Sequence, residues 1–263
     1  MNHVKPKKSL GQHFLKDLNI AQKITDTLVL HKNYRKVLEI GAGTGVLTQF
    51  LVKNPNFQTF VVDIDKQSIA YLNEKKILEA DKIIEADFLK MNLRNLFENE
   101  PFGIIGNFPY NISSQIFFKV LNNRDLVPEI VCMIQKEVAQ RIASKHGSKE
   151  YGILSVLMQA FYDVKYHFSV EPHVFNPPPK VKSAVISFKR NTTENLPCSE
   201  KLFFSIVKSA FNQRRKTLRN TLKHLNLPKS LTEQEIFGKR AEQLSVQEFI
   251  DLVGNIEKAL KTE

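Results

Sequence analysis

The stretch Glu39-Ile40-Gly41-Ala42-Gly43-Thr44-Gly45 ends the apolar run that starts at Val37 and leads into a helical pattern from Val46. An apolar run that breaks at glycines and resumes at helical period reads as strand, tight turn and helix. Glycines there let the backbone turn sharply and come close to a ligand. Outward from it, Phe60-Val61-Val62 reads as a second strand ending at Asp63, with a helix from Lys66 to Glu74. Ile83-Ile84 reads as a third strand leading to Asp87, and Ile104-Ile105 as a fourth, followed by a helix from Ser114 to Leu121. Ile130 to Gln135, Val164 to Phe168 and Ala184 to Phe188 complete the strands, with helices near Glu137 and Ile153. Upstream, Ile20, Ile24 and Leu28 recur at helical spacing. Strands alternating with helices predict an α/β fold built on a mostly parallel sheet.

In such a sheet ligands bind outside the carboxyl ends of the strands, so the glycine turn, Asp63 and Asp87 converge. An acid at Asp63, 22 residues after Gly41, suits the two hydroxyls of a ribose, and one at Asp87 suits an adenine amino group. NAD is the rival ligand. Its fingerprint wants Gly-x-Gly-x-x-Gly, whereas Val46 stands where the third glycine would fall and no second mononucleotide half follows. The turn and its acids therefore predict S-adenosylmethionine, which has no pyrophosphate to cradle.

After the fourth strand comes Asn107-Phe108-Pro109-Tyr110. An exocyclic amino nitrogen gives its lone pair to its ring and is a poor nucleophile. An Asn oxygen and a backbone carbonyl, both acceptors, would bind its two hydrogens and draw it toward tetrahedral geometry. Pro109 stiffens the loop and Tyr110 offers a face for a base, although the same four residues also make an ordinary turn with an aromatic plug. Further on, Phe175-Asn176-Pro177-Pro178-Pro179-Lys180-Val181 is a stiff extended segment. It either projects Phe175 over the cleft, to sandwich the base against Tyr110 while Lys180 meets a phosphate, or tucks Phe175 into the core.

From about Leu196 the strands stop, and Leu202 to Leu222, Leu231 to Phe237 and Val246 to Leu260 read as helices. The expected division is a basic arm over 1–16, a methyltransferase domain over 17–195 and an RNA-binding helical domain over 196–263. Charge follows it. The chain of 263 residues carries +11, with +4 in the first sixteen residues, +3 over 17–196 and +4 from 197 on. Basic ends on a nearly balanced body suit a polyanionic partner such as nucleic acid. Between Lys201 and Lys223 lie seven basic residues and no acid. On one continuous helix Lys208, Arg215, Arg219 and Lys223 would share a face toward phosphates, opposite Phe203, Val207, Ala210 and Leu218. Asn212-Gln213 is where that helix would break, and Arg214 falls toward the apolar side, suiting a packing role as well as an RNA contact.

Other classes find no support. The longest apolar run, Ile130 to Ile134, is far short of the ~20 residues of a membrane span. No signal-peptide pattern opens the chain, so a cytoplasmic location is expected. The two cysteines and seven histidines show no metal-ligand spacing, and no metal or disulfide is expected.

Five motifs, in order, resemble those of the ribosomal RNA adenine dimethyltransferases: Gly11-Gln12-His13-Phe14-Leu15, the glycine turn, Asn107 to Tyr110, Phe175 to Val181, and Ala210-Phe211-Asn212-Gln213-Arg214-Arg215-Lys216. The resemblance runs over essentially the whole chain. It implies a class I S-adenosylmethionine-dependent methyltransferase domain with a seven-stranded sheet and a small helical C-terminal domain. It also implies dimethylation of two adjacent adenosines near the 3′ end of 16S rRNA in an immature 30S subunit, by a monomer with a role in ribosome biogenesis. Donor contacts carry over to His13, Leu15, Gly41, Gly43, Asp63, Asp87 and Asn107. Catalysis carries over to Asn107, Phe108, Pro109 and Tyr110 with Phe175, and RNA contact to Lys180, Lys208, Arg215, Lys216, Arg219 and Lys223. Four positions depart from the common bacterial pattern: His13 for Asn, Asp63 for Glu, Phe108 for Leu and Lys182 for Asp. The alternatives are an adenine methyltransferase acting on large-subunit RNA or DNA, and a mainly non-catalytic assembly factor. The Phe211-to-Lys216 stretch and the intact Asn107 loop favour the first reading.

Overall fold

A computed structural model describes residues 4–261. Among them, nine strands alternate with eleven helices: β1 Phe14–Leu15, α1 Leu18–Thr25, β2 Lys36–Ile40, α2 Thr48–Leu51, β3 Gln58–Asp63, α3 Lys66–Lys75 and β4 Ile83–Glu85. There follow α4 Leu93–Leu96, β5 Gly103–Asn107, α5 Ser113–Leu121, β6 Glu129–Gln135, α6 Lys136–Ala143, α7 Ile153–Gln159, β7 Tyr162–Val170, β8 Phe175–Asn176 and β9 Ser183–Arg190. Helices α8 Glu200–Asn212, α9 Leu218–Thr221, α10 Lys229–Thr232 and α11 Val246–Lys261 close the chain.

Seven strands form one sheet in the order β4-β3-β2-β5-β6-β9-β7. The pairs from β4 to β6 are parallel, and β9 lies antiparallel to β6. The parallel strands are apolar without alternation because helices cover both faces, and Val37, Leu38, Val61, Ile104, Ile105, Ile130 and Val131 are fully buried. The chain leaves β2 toward β3 on one side and β5 on the other, so the strand order reverses at β2 and opens a crevice at its carboxyl end. Register then sets the site. Ile40 pairs with Val62, Asp63 with Glu85 and Asn107 with Met133, which brings the glycine turn, Asp63 and Asn107 to the same edge.

The arm is part of this body. Phe14 pairs with Asn176 and Leu15 with Phe175 in a two-stranded ribbon of β1 and β8. Lys7 Nζ lies 2.5 Å from Asp65 Oδ1 and Gln12 Nε2 3.0 Å from Asp65 Oδ2. Two compact units result: the described residues through Ala139 with Asp163–Arg190, and Gln140–Tyr162 with the residues from Asn191 on. The second unit thus begins near 191 rather than 196 and also takes 140–162, which the sequence pattern placed in the first domain. The reason is packing: α8 lies against α7 and α11, Phe211 stacks on Phe249 at 5.9 Å, and Tyr151 meets Phe211 edge-on. Arg214 donates to the carbonyls of Lys149 and Tyr151, the internal role its position on the apolar side suggested.

The long helix read over Leu202 to Leu222 is broken. It ends at Asn212, Gln213 leaves helical geometry at φ −128° and ψ 75°, and α9 restarts at Leu218. Phe203, Val207, Ala210 and Leu218 are buried as expected. Lys208, Arg215, Lys216, Arg219 and Lys223 are exposed, but across a break they do not form one helical stripe. Arg219 Nε donates to the Thr232 carbonyl at 2.9 Å.

Candidate active site

The crevice at the strand ends holds a cavity of about 240 Å³, lined by His13, Gly41, Gly43, Asp63, Asp87 and the whole of Asn107 to Tyr110. Its floor is the glycine turn. Gly41, Gly43 and Gly45 have φ of +71°, +55° and +74°, in the left-handed region that side chains resist. A Cβ added at Gly41 would meet nothing within 4 Å and would stand in the cavity, whereas one at Gly43 would strike the Phe14 ring at 2.7 Å. Gly41 therefore leaves space for a ligand, and Gly43 lets the arm close down.

Asp63 is 6% exposed. Its Oδ1 accepts from Asp65 N–H at 2.8 Å and its Oδ2 from Gly43 N–H at 3.1 Å. Burial raises its carboxyl above the ordinary range, against those backbone bonds. Each oxygen has a second lone pair left for a ligand hydroxyl. Asp87 caps its own turn by accepting from Leu89 N–H at 2.9 Å, and it stays partly exposed.

The catalytic-loop geometry turns on one bond. Asn107 Nδ2 donates to the His13 carbonyl at 2.8 Å. A carbonyl only accepts, so the amide orientation is fixed and Oδ1 has no protein donor among the described residues. The His13 ring stacks on Tyr110 with centroids 5.5 Å apart, and its Nδ1 donates to the Pro177 carbonyl at 2.8 Å. Tyr110 shares a 2.6 Å hydrogen bond with Ser183, which the antiparallel register with Gln135 brings to this edge. Burial raises the Tyr110 phenol and keeps it neutral. Phe108, 1% exposed, anchors the loop beneath, edge-on to Phe117.

Two expected residues are elsewhere. Phe175 is 1% exposed and packs in the core with Val131, Met133 and Val185, so it does not project over the cleft to sandwich a base. Leu15, 4% exposed, joins the same cluster, and its neighbour Phe14 lines the cavity instead. The ribbon explains both: its inward side takes the facing pair Leu15 and Phe175. Lys180 is exposed outside the cavity. Lys182 pairs with Glu171 at 2.6 Å on the surface.

Three side chains that support the site were given no role by the sequence reading. Lys119, on α5, donates to the carbonyls of Leu89 (2.9 Å) and Met91 (2.5 Å) and lies over Phe88, fixing the turn that carries Asp87. Burial lowers its ammonium, while Asp87 opposes the shift. No sequence signal marks it, since its neighbours on the helix surface, Gln115, Ile116, Asn122 and Asn123, are mostly polar. Asp65 is held below the ordinary carboxylate range because Lys7, Gln12 and Gln67 outweigh its burial. Glu39, fully buried, accepts from Thr48 Oγ1 at 2.6 Å behind the turn, and burial lifts its carboxyl to about 7.

A switch-point crevice with a left-handed glycine turn, two acids on successive strand ends and an Asn-Phe-Pro-Tyr loop defines a class I S-adenosylmethionine-dependent methyltransferase. Residues 3–258 match the family described as ribosomal RNA adenine dimethylase, and the chain belongs to that family. It is 60% identical over 263 residues to the ribosomal RNA small subunit methyltransferase A of Bacteroides thetaiotaomicron, covering all of this chain and 98% of that one. With the same-named protein of Flavobacterium johnsoniae it shares 59% over 257 residues, 98% of each. A solved dimethyladenosine transferase from Plasmodium falciparum superposes with TM-score 0.79 at 26% identity, over 94% of this chain and 98% of that one. The 23S rRNA methyltransferase ErmE, at 22% identity and TM-score 0.66, shares the fold.

Proposed function

We propose that the chain dimethylates N6 of two adjacent adenosines near the 3′ end of 16S rRNA, acting as a cytoplasmic monomer on an immature 30S subunit and needing no metal. The observation that carries the adenine chemistry is the Asn107 amide, turned by the His13 carbonyl so that its oxygen is left for a ligand donor at the cavity. The small-subunit assignment is supported by relatives near 60% identity that carry a small-subunit name over their full length.

S-Adenosylmethionine, when bound, supplies an electrophilic methyl group on a sulfonium sulfur. Gly41 leaves room for it, and Asp63 and Asp87 would hold its ribose and adenine. Asn107 Oδ1 would accept a hydrogen of the target amine and draw the nitrogen lone pair out of conjugation with the ring. This interaction strengthens as the nitrogen becomes tetrahedral and gains positive charge, so it favours the transition state over the ground state. Asn107 is neutral and orients the amine rather than deprotonating it. Tyr110 would stack the base from the open side, with His13 behind its ring. The Phe108 ring holds the Asn107 loop from below, and Lys119 holds the turn that carries Asp87.

The exposed cations Lys180, Lys208, Arg215, Lys216, Arg219 and Lys223 would meet phosphates. No described helix is long and apolar enough to cross a membrane. The test supplies labelled S-adenosylmethionine with free 16S rRNA, free 23S rRNA and unmethylated 30S particles, and maps the product. Label in two adjacent N6,N6-dimethyladenosines of the 30S particle is expected. Label confined to 23S rRNA, or particle binding without transfer, would overturn the reading in favour of the large-subunit enzyme or the assembly factor.

A further inference from the structure

Where α8 ends and α9 begins, the second unit carries a cavity of about 560 Å³ lined by residues with polar side chains, none of them acidic. The helix break makes it. Asn212 closes α8, and Gln213 turns away at φ −128°. Leu218 and Leu222 are buried, which leaves Asn220 and Lys223 on the open side. Asn226 finishes the wall in left-handed geometry at φ 49°. Asn220 Nδ2 donates one hydrogen to Thr217 Oγ1 at 3.1 Å, which leaves its oxygen and its second N–H. The side chains of Asn212, Gln213, Lys223 and Asn226 make no hydrogen bond or ion pair among the described residues.

Carboxamides each present a donor beside an acceptor, the pattern of a nucleobase edge. A pocket within the ~300–1,000 Å³ of small-molecule sites takes one extruded nucleotide, whereas an A-form duplex offers a wide, shallow groove and phosphate rows. The absence of any acid in the lining and the presence of Lys223 favour an anionic ligand. We propose that this cavity binds an unpaired nucleotide of the RNA substrate, with its base edge on Asn212 and Gln213 and its phosphate on Lys223. The proposal rests on the ribosomal RNA reading above and adds a base-reading contact to the C-terminal unit, where charge alone would give only attraction to phosphates.

The distinguishing measurement is salt dependence. A neutral contact displaces no counterion, so removing it lowers affinity by the same factor at every salt concentration. Removing a phosphate contact flattens the slope of log affinity against log salt by about 0.7–0.9. Binding of the full chain to unmethylated 30S particles is measured at several KCl concentrations. Asn212→Ala with Gln213→Ala should weaken binding about tenfold throughout with an unchanged slope, on the scale of a base contact. Lys223→Gln should reduce the slope. Asn226→Gly tests the same wall without disturbing the left-handed backbone and should weaken binding about threefold. Thermal melting and S-adenosylhomocysteine affinity, which these positions do not touch, report folding. Unchanged affinity in both amide variants, or a loss that comes with a flattened slope, overturns the pocket while leaving the enzyme reading intact. If the unaltered chain does not bind the particles, the ribosomal RNA reading falls and the pocket falls with it.

Discussion

Replacing Asn107 with Ala removes two interactions whose costs fall in different assays. The first is the 2.8 Å bond from Nδ2 to the His13 carbonyl. Its loss leaves a partly buried carbonyl unpaired and should cost about 1 kcal/mol, a fall in melting temperature of roughly 2–4 °C for a unit of this size. The second is the Oδ1 acceptor, which matters most once the amine becomes tetrahedral. Loss of one preorganised group of this kind lowers the rate by about 10²–10³. Single-turnover methylation of unmethylated 30S particles, at saturating S-adenosylmethionine, should therefore slow by that factor while particle affinity stays within about threefold, about 0.7 kcal/mol. Asn107→Asp sharpens the comparison. It keeps an acceptor toward the cavity but sets a carboxylate oxygen against the His13 carbonyl, so it should lose at least as much stability as the alanine variant. Transfer by Asn107→Ala within about tenfold of normal would refute the amine-activation argument, since a tenfold effect is only ~1.4 kcal/mol and fits simple loosening of the loop.

Asp63→Ala should weaken S-adenosylhomocysteine binding by about 1.5–3 kcal/mol in calorimetry; unchanged affinity would mean the ligand does not use this acid. Lys119→Met frees the turn after Asp87 and should weaken the same ligand about fivefold, roughly 1 kcal/mol, with Lys119→Arg restoring part of the loss. No change would make Lys119 a bystander. Burial lifts Glu39 to about 7, so the folded chain holds a proton that the unfolded chain has released. The stability from that proton is complete below the unfolded value and fades as pH rises through about 7. Glu39→Gln should therefore flatten the stability profile over this window and raise stability at pH 8 by up to about 3 kcal/mol, read from urea midpoints. A profile that keeps its slope would assign the titration to another group. Arg215→Gln with Lys216→Gln should flatten the salt dependence of particle binding by about 0.7–0.9 for each phosphate neutralised by these side chains; an unmoved slope would leave both as solvated surface charges.

The sheet was legible because its signals are local. Val37 to Ile40, Ile104-Ile105 and Ile130 to Gln135 are apolar on both faces, and glycines and acids mark their carboxyl ends. The donor side of the site followed from strand order, which needs no side-chain detail. What escaped depends on contacts far apart in the chain. Nothing near Phe175 says that it pairs with Leu15, so the proline-rich segment read first as an arm projecting Phe175 over the cleft, with a linker that tucks Phe175 into the core as the alternative. Residues 140–162 carry ordinary helical periodicity, and only Phe211 and Arg214 reveal which unit they join. The break after Asn212 was marked by its Asn-Gln pair, but periodicity continued through it and aligned cations that a turn separates. Lys7 counted toward a basic arm, while its charge is taken up by Asp65.

The ribbon of Phe14–Leu15 with Phe175–Asn176 also sets the order in which the site is completed during synthesis. Everything on its floor, from the glycine turn to Asn107, is made within the first 107 residues. The strand that pins its roof, β8, emerges about 160 residues after β1. At about 5–20 residues per second the interval is about 8–30 s, long compared with the microseconds in which a hairpin closes. For that period β1 has no strand partner, although most of the core that Leu15 enters, from Ala21 to Met133, is already made. A nascent chain therefore carries the chemistry of the loop on an unroofed floor, and donor binding is gained late, as one event, when β8 arrives.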